Sequence, residues 1–159
     1  MPTIAEVRPA AKTVIAESKD VMAHHDACTI AALINSGELS QAEVTEAAIA
    51  RAAAVNPQLN AITHKAYEYG LKRASTALDG ALAGVPTFIK DTDALVGHPC
   101  RIGSRATSDK PAGYSSDFVL QFEATGVVPI GISTPPEFGQ SGTAEALLSS
   151  PTSNPRNTA

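Results

Sequence analysis

The chain of 159 residues has no tryptophan, few other aromatic residues and no long apolar run. Aromatic residues make up 4% of it, so its helices are expected to pack through small side chains, among which alanine is abundant. A membrane-spanning helix needs about 20 consecutive apolar residues, and no segment approaches that length. The stretch from Met1 to Glu6 also lacks the basic and apolar regions of a signal peptide. These absences predict a chain that neither crosses a membrane nor carries a secretion signal.

An excess of basic residues is missing as well. The 12 lysines and arginines stand against 16 aspartates and glutamates, for a net charge of −4. A nucleic-acid-binding groove needs a basic patch, so this balance argues against a nucleic-acid partner. The two cysteines, Cys28 and Cys100, lie far apart and in no metal-ligand spacing, and no histidine has suitable partners nearby. We therefore expect reduced thiols, a cytoplasmic location and no metal site.

What the chain does contain is enough apolar material for one core. Hydrophobic residues make up 43% of it, which is typical of a globular protein. Residues 1–25 are polar and are expected to form an N-terminal arm, followed by a domain over residues 26–159. A first helix is predicted to begin after Asp26 and to end at Gly37, which suits a left-handed cap.

A capping box predicts the start of a second helix, because the side chains of Ser40 and Glu43 can each form a hydrogen bond with the other's backbone amide. It is predicted to run to about Val55, because Asn56-Pro57 should stop it. Its buried stripe is predicted to consist of Val44, Ala47, Ala48 and Ala52. An extended stretch over residues 59–63 and a third helix over roughly residues 65–78 are expected to follow.

The second half changes character at Val85–Ile89, a short apolar run that suits a strand buried on both faces. A fourth helix is predicted with Ser115 or Ser116 as its N-cap, and a second strand over residues 127–132. The inward residues of that helix are predicted to be Phe118, Val119 and Phe122. Pro129 lacks an amide donor, so it must lie at an edge or at a break in the ladder. The connection is long enough for two parallel strands. The fold class is therefore α/β, with N-terminal helices followed by the start of a mixed sheet with covering helices.

Lys90 is the residue of greatest chemical interest, since it ends the first strand and is followed by Asp91. A lysine in this place is usually a surface residue whose stem lies along the core. A lysine that acts as a base must instead be neutral when it accepts a proton; burial favours that state and nearby carboxylates oppose it. On an extended chain Asp91 points to the opposite side from Lys90. The residues alone leave both interpretations open.

The wider pattern resembles the amidase signature family over roughly residues 27–159. The segments that carry the resemblance, in order, are Gly84–Lys90, Gly103-Ser104-Arg105, Ala124–Gly131, Pro136-Glu137-Phe138-Gly139, Gly142-Thr143-Ala144-Glu145 and Pro151–Asn157. The chain departs from the family pattern at Ile132-Ser133-Thr134, where Lys-Thr-Asn is usual, and at Arg156, where Trp is usual. These positions normally support the site or line the cleft, so the substrate stays open.

The resemblance implies hydrolysis of an amide (carbon–nitrogen) bond by a Ser–cis-Ser–Lys acyl-enzyme mechanism, on an incomplete amidase-signature fold. Lys90 is the one residue that carries over as a catalytic group, as the base of the triad. The nucleophilic serine and the oxyanion loop are not expected within residues 1–159. The serines weighed as nucleophiles are better interpreted as turn residues; they are Ser104, Ser133, Ser141 and Ser149. No cofactor is implied, and the substrate would be a small-molecule amide bound by the complete enzyme.

An incomplete sheet should expose unpaired edges and apolar surface. The isolated chain is therefore expected to be inactive, and either to self-associate or to bind a complementary C-terminal segment. The alternative is a non-catalytic binding or interaction module, or one half of a split or nicked enzyme.

Overall fold

The computed structural model of the protein describes residues 13–16 and 19–158. In this part of the chain there are four α-helices, three strands and one short 3-10 helix, Glu137–Gly139. The helices are α1 (Ala27–Ser36), α2 (Gln41–Leu59), α3 (Tyr67–Ala74) and α4 (Asp117–Ala124). The strands are β1 (Ile62–Lys65), β2 (Pro86–Lys90) and β3 (Val128–Ser133). The predicted α/β class is confirmed. The expectation of no signal peptide at Met1 to Glu6, and residues 1–12 of the predicted arm, lie outside the described residues.

The three strands form a mixed sheet in the order β1-β3-β2. β2 and β3 run parallel, with α4 in their connection, as predicted, and β1 pairs with β3 in the antiparallel sense. Pro129 lies in the central strand, at the point where the register against β2 shifts. The predicted break in the ladder is therefore confirmed, whereas an edge position is not.

The prediction that the first strand is buried on both faces is wrong. Ile89 is 1% exposed, but Phe88 is 37% exposed and faces the other way. The reason is that Phe88 faces the cavity between α2 and the sheet, where helix residues such as Ala52 and Val55 do not close over it.

The predicted caps at both ends of α1 and at the start of α2 are confirmed. The Asp26 side chain accepts from Thr29 N at 2.7 Å, and Gly37 ends α1 with a φ of 80°. The capping box of α2 is complete, since Glu43 N donates to Ser40 Oγ while Ser40 N donates to the Glu43 carboxylate. The inward residues of α2 are Val44, Thr45, Ala48 and Ala52. Ala47, predicted in this stripe, is only half-buried.

Two helix lengths differ from the prediction. α2 continues through Pro57 to Leu59, because the Asn56 side chain accepts the amides of Ala61 and Ile62 at 2.9 Å and so supports the exit of the chain. The predicted extended stretch therefore begins only at Ile62.

The third helix is shorter than predicted and ends at Ala74, where hydroxyl groups compete for the last carbonyls. The bonds are Ser75 Oγ to Lys72 O and Thr76 Oγ1 to Arg73 O.

Helix α4 has Ser116 as its N-cap, as predicted, and packs Val119 and Phe122 onto the sheet. Phe118, predicted to lie inward, is 57% exposed and is stacked beside Phe122. Glu123, one turn after Val119, is buried instead because it accepts from Tyr69 Oη at 2.5 Å. The inward stripe of this short helix is therefore partly polar.

Candidate active site

The site is built where β2 and β3 both end, which we call the carboxyl edge of the sheet. Lys90 and Ser133 are the last residues of these strands and are register partners. The carboxyl ends of parallel strands are where α/β sheets commonly bind ligands. Lys90 ends its strand as the sequence predicted. It is exposed, and its ammonium has no hydrogen-bond or ion-pair partner among residues 13–16 and 19–158.

Asp91, the next residue, is fully buried and points the other way. Its Oδ1 accepts from Arg101 N at 2.8 Å and its Oδ2 accepts from Gly103 N at 3.3 Å. Ile102 N donates to the Asp91 carbonyl at 2.9 Å. Asp91 therefore accepts hydrogen bonds from three consecutive backbone amides. We call the segment that donates them, residues 101–103, the 101–103 turn.

The 101–103 turn has an unusual backbone. Ile102 has a φ of 52° and Gly103 a φ of 66°. A β-branched residue in this region costs about 1–2 kcal/mol, so the turn needs strong support from its surroundings. A side chain at Gly103 would bring its Cβ to 2.9 Å from the Pro136 carbonyl oxygen, so only glycine fits there.

A second bond joins this turn to the segment around Glu137. Ser104 is 1% exposed and donates from Oγ to Glu137 Oε1 at 2.7 Å. Phe138 N donates to the Ile102 carbonyl at 2.8 Å. Two of the segments that carry the family resemblance, distant in the sequence, therefore meet beside Lys90. Ser104 serves as a structural residue of this contact, in agreement with its interpretation as a turn residue.

Asn60, between α2 and β1, holds the last part of the chain to the same edge. It has a left-handed backbone, with a φ of 52°. Its Nδ2 donates to the carbonyls of Ser149, Ser150 and Pro151, at 2.5, 3.2 and 3.2 Å. Its own carbonyl accepts from the hydroxyls of Thr134 and Thr152. No local pattern in the sequence predicts this structural role of Asn60.

Two titratable groups near Asp91 are perturbed. Burial lowers the pKa of His64, while the negative charge of Asp91 opposes that shift. Burial raises the pKa of the Cys100 thiol, and the carboxylates of Asp91 and Asp93 raise it further. A nucleophilic cysteine needs the opposite shift, so Cys100 is a poor candidate for such a role. Cys28 and Cys100 are both free.

In the part of the chain that the structure describes, no three His, Cys, Asp or Glu side chains are placed to hold a metal ion. No helix there has the length and apolar character to span a bilayer.

Comparison with known proteins decides the family. The sequence model of the amidase family matches residues 43–159. The chain belongs to the amidase family. The resemblance expected from the sequence is confirmed, and the match covers most of α2, the whole sheet and the segments that meet at its carboxyl edge.

Similar proteins agree with this assignment. The putative amidase AmiC of Mycobacterium leprae is 39% identical over 139 residues, which are 87% of this chain and 30% of that protein. The 6-aminohexanoate-cyclic-dimer hydrolase of Paenarthrobacter ureafaciens is 36% identical over 136 residues, or 83% of this chain and 27% of that one. A solved structure of a 6-aminohexanoate cyclic dimer hydrolase is 34% identical and superimposes with a TM-score of 0.78 over 84% of this chain and 28% of the other. The chain thus spans about 30% of the length of such relatives.

Proposed function

We propose that this chain supplies Lys90 as the base of a Ser–cis-Ser–Lys triad in an enzyme that hydrolyses amide bonds. The observation that carries the proposal is the state of Lys90: it lies at the carboxyl edge of the sheet, exposed and unpaired among the described residues, while its neighbouring carboxylate is turned away. In the same proposal, residues 26–159 are the N-terminal portion of a single amidase-type domain.

The chemistry requires a base for a physical reason. A serine hydroxyl attacks an amide poorly unless a base removes its proton. In the proposed triad a cis serine passes that proton to Lys90, and backbone amides of a loop outside this chain stabilise the oxyanion. Desolvation favours the neutral form of a lysine, which is the form that can accept a proton, and no described carboxylate pairs with Lys90 to oppose that state.

The proposed partner is a complementary segment that packs over the carboxyl edge and the open side of β2. A mostly apolar cavity of about 410 Å³ lies between α2 and the sheet, lined in part by Pro86, Phe88 and Ser133. Without such a segment this surface favours self-association. We infer that the isolated chain does not turn over amides, and that the substrate of the complete enzyme is a small-molecule amide.

The decisive experiment replaces Lys90 in the complete enzyme. Lys90→Ala should lower kcat/KM for a simple aryl amide by at least about 100-fold, the usual contribution of a general base. The matched control is Lys65→Ala, since Lys65 is also an exposed lysine that ends a strand, but it pairs with Gly131 in the interior of β3 and not with the last residue of that strand. Full activity of Lys90→Ala would refute the triad assignment.

The inactivity of the isolated chain has a separate test. The 159-residue chain is incubated with a panel of aryl and alkyl amides, and turnover is followed by product release. No turnover above background is expected. Turnover that Lys90→Ala abolishes would overturn the claim of inactivity while it supported the role of Lys90.

A further inference from the structure

We propose that Asp91 is a positioning residue for Lys90. Its carboxylate fixes the 101–103 turn against the end of β2 and thereby holds the Lys90 main chain at the carboxyl edge. This inference rests on the proposed role of Lys90 as the base.

Every acceptor oxygen of Asp91 has an amide partner in the turn. Both carboxylate oxygens and the carbonyl of this fully buried residue accept backbone amides from the 101–103 turn. Successive amides that converge on one anion form an anion-binding nest, and here the anion is an aspartate of the same chain. Bonds from amides to a carboxylate are stronger than neutral ones, so this is a firm attachment.

Backbone hydrogen bonds fix the chain on both sides of Lys90. Asp91 N donates to the Ser133 carbonyl at 3.1 Å, and the Lys90 carbonyl accepts from Asp93 N at 3.0 Å. Lys90 therefore lies between two fixed points, the pairing with β3 on one side and the loop on the other. A substitution at Asp91 that weakens its bonds to the turn is therefore expected to shift the main chain of Lys90.

The negative charge of Asp91 is directed away from Lys90. Because the Asp91 oxygens are occupied by amides on the opposite side of the strand, this carboxylate does not form an ion pair with Lys90. An ion pair would favour the protonated lysine, which is the wrong state for a base. The turn thus keeps an acid next to Lys90 in the sequence but away from its ammonium in space.

The backbone of the turn explains why a carboxylate is needed. Ile102 is held in the left-handed region, which a β-branched residue avoids. The bonds to Asp91 lie on either side of it, at Arg101 and Gly103. With one acceptor lost, the turn is free to relax, and the end of β2 relaxes with it.

The test compares Asp91→Asn with a control of similar cost to stability. Asparagine has the same shape but offers one acceptor, and its amide group would face the amide of Gly103. The control is Tyr69→Phe, which removes the bond to the buried Glu123 between α3 and α4. Both variants are made in the complete enzyme, and kcat, KM and Tm are measured for each.

Asp91→Asn should lower kcat about 10- to 100-fold with KM changed by less than about twofold, as expected when a reacting group is misplaced. Tyr69→Phe should lower Tm by a similar amount and leave kcat unchanged. A normal kcat for Asp91→Asn, or an equal loss in both variants, would overturn the inference.

Two further measurements keep the outcomes distinct. Lys90→Ala is assayed in parallel: if it is active, the proposed function fails, whereas an inactive Lys90→Ala beside a fully active Asp91→Asn refutes only the role of Asp91. In the 159-residue chain, Asp91→Asn should speed hydrogen exchange of the Arg101 and Gly103 amides, and Lys90→Ala should not. Unchanged exchange in Asp91→Asn would contradict the anchoring contacts themselves.

A folding failure is also covered. If Asp91→Asn does not accumulate as soluble enzyme, Ile102→Gly is added, because glycine adopts the left-handed backbone without strain. The double variant should fold and still show the low kcat, since the lost acceptor is not restored. Recovery of full kcat in the double variant would show that strain alone, and not the Asp91 carboxylate, affects Lys90.

Discussion

Two regions of the molecule differ in how far along the sequence their hydrogen bonds reach. One is the helical layer of α1 and α2, and the other is the carboxyl edge of the sheet. In the helical layer the capping bonds of Asp26 and Ser40 span three residues each. At the carboxyl edge the Asp91–Arg101 bond spans 10 residues, Ser104–Glu137 spans 33 and Asn60–Ser149 spans 89.

The difference separates what each region depends on. A local cap forms with its helix and stabilises that helix alone. A bond that spans tens of residues forms only when distant segments are already packed, so its loss releases a whole segment. We therefore expect the carboxyl edge to be the more sensitive region, and the following variants test that ranking from the largest expected effect to the smallest.

Asn60→Ala should be the most damaging of these changes, with a loss of about 2–3 kcal/mol in the free energy of unfolding. Alanine disfavours the left-handed backbone at this position and cannot hold the carbonyls of residues 149–151. Urea denaturation of the 159-residue chain measures the loss.

Asn60→Gly is the matched control, because glycine accepts the backbone but offers no side-chain amide. It should recover about 1 kcal/mol of the loss. If Asn60→Gly were as stable as the parent chain, the bonds to residues 149–151 would contribute nothing, and the contrast between the two regions would fail.

The same contrast explains how much of the structure the sequence could predict. The capping box at Ser40, the cap at Ser116 and the strand that ends at Lys90 depend on neighbouring residues, and each was predicted correctly. The role of Asp91 could not be predicted in this way. Period-2 alternation places it opposite Lys90, but its amide partners lie 10 to 12 residues further on, in a turn whose backbone no local pattern specifies.

The errors have the same origin. Pro57 predicted an early helix end, yet the Asn56 side chain supports two more amides and α2 continues. Phe118 was predicted to lie inward by hydrophobicity, but the inward place one turn after Val119 is taken by Glu123, which Tyr69 makes acceptable by a hydrogen bond. In each case a side-chain hydrogen bond, which neither residue preference nor hydrophobicity predicts, decided the outcome.

Ser40→Ala should have an intermediate effect, with a loss of about 1 kcal/mol, which is typical of an N-cap. The change removes the acceptor for Glu43 N and leaves the carboxyl edge untouched. Thermal unfolding followed by circular dichroism gives the measurement, and Ser40→Thr, which keeps a capping hydroxyl, should stay close to the parent. A loss from Ser40→Ala as large as that from Asn60→Ala would contradict the ranking.

The ion pair of Asp20 with Arg51 should have the smallest effect, and it sharpens the comparison because it is long-range but joins two partly exposed charges, which solvent screens. It spans 31 residues, with side-chain exposures of 29% for Asp20 and 22% for Arg51. Partly exposed pairs contribute below about 1 kcal/mol. If the sequence distance that a bond spans alone decided its contribution to stability, loss of this ion pair would destabilise the chain as much as loss of the Asn60 bonds.

The effect of pH gives the test. The hydrogen bonds from Arg51 hold the pKa of Asp20 below its ordinary value of 3.8, with burial acting in the opposite direction. A carboxyl group with a lowered pKa in the folded state stabilises the fold above its unfolded pKa, and this contribution is lost as the pH falls through the folded value. Asp20→Asn should therefore be less stable than the parent at pH 7, and the two should converge as the pH falls below 3.8, in urea titrations at each pH. A difference that persisted at low pH would place the effect of Asp20 outside its charge. A loss as large as that of Asn60→Ala would show that the sequence distance spanned by a bond decides its contribution to stability, whether or not solvent screens it.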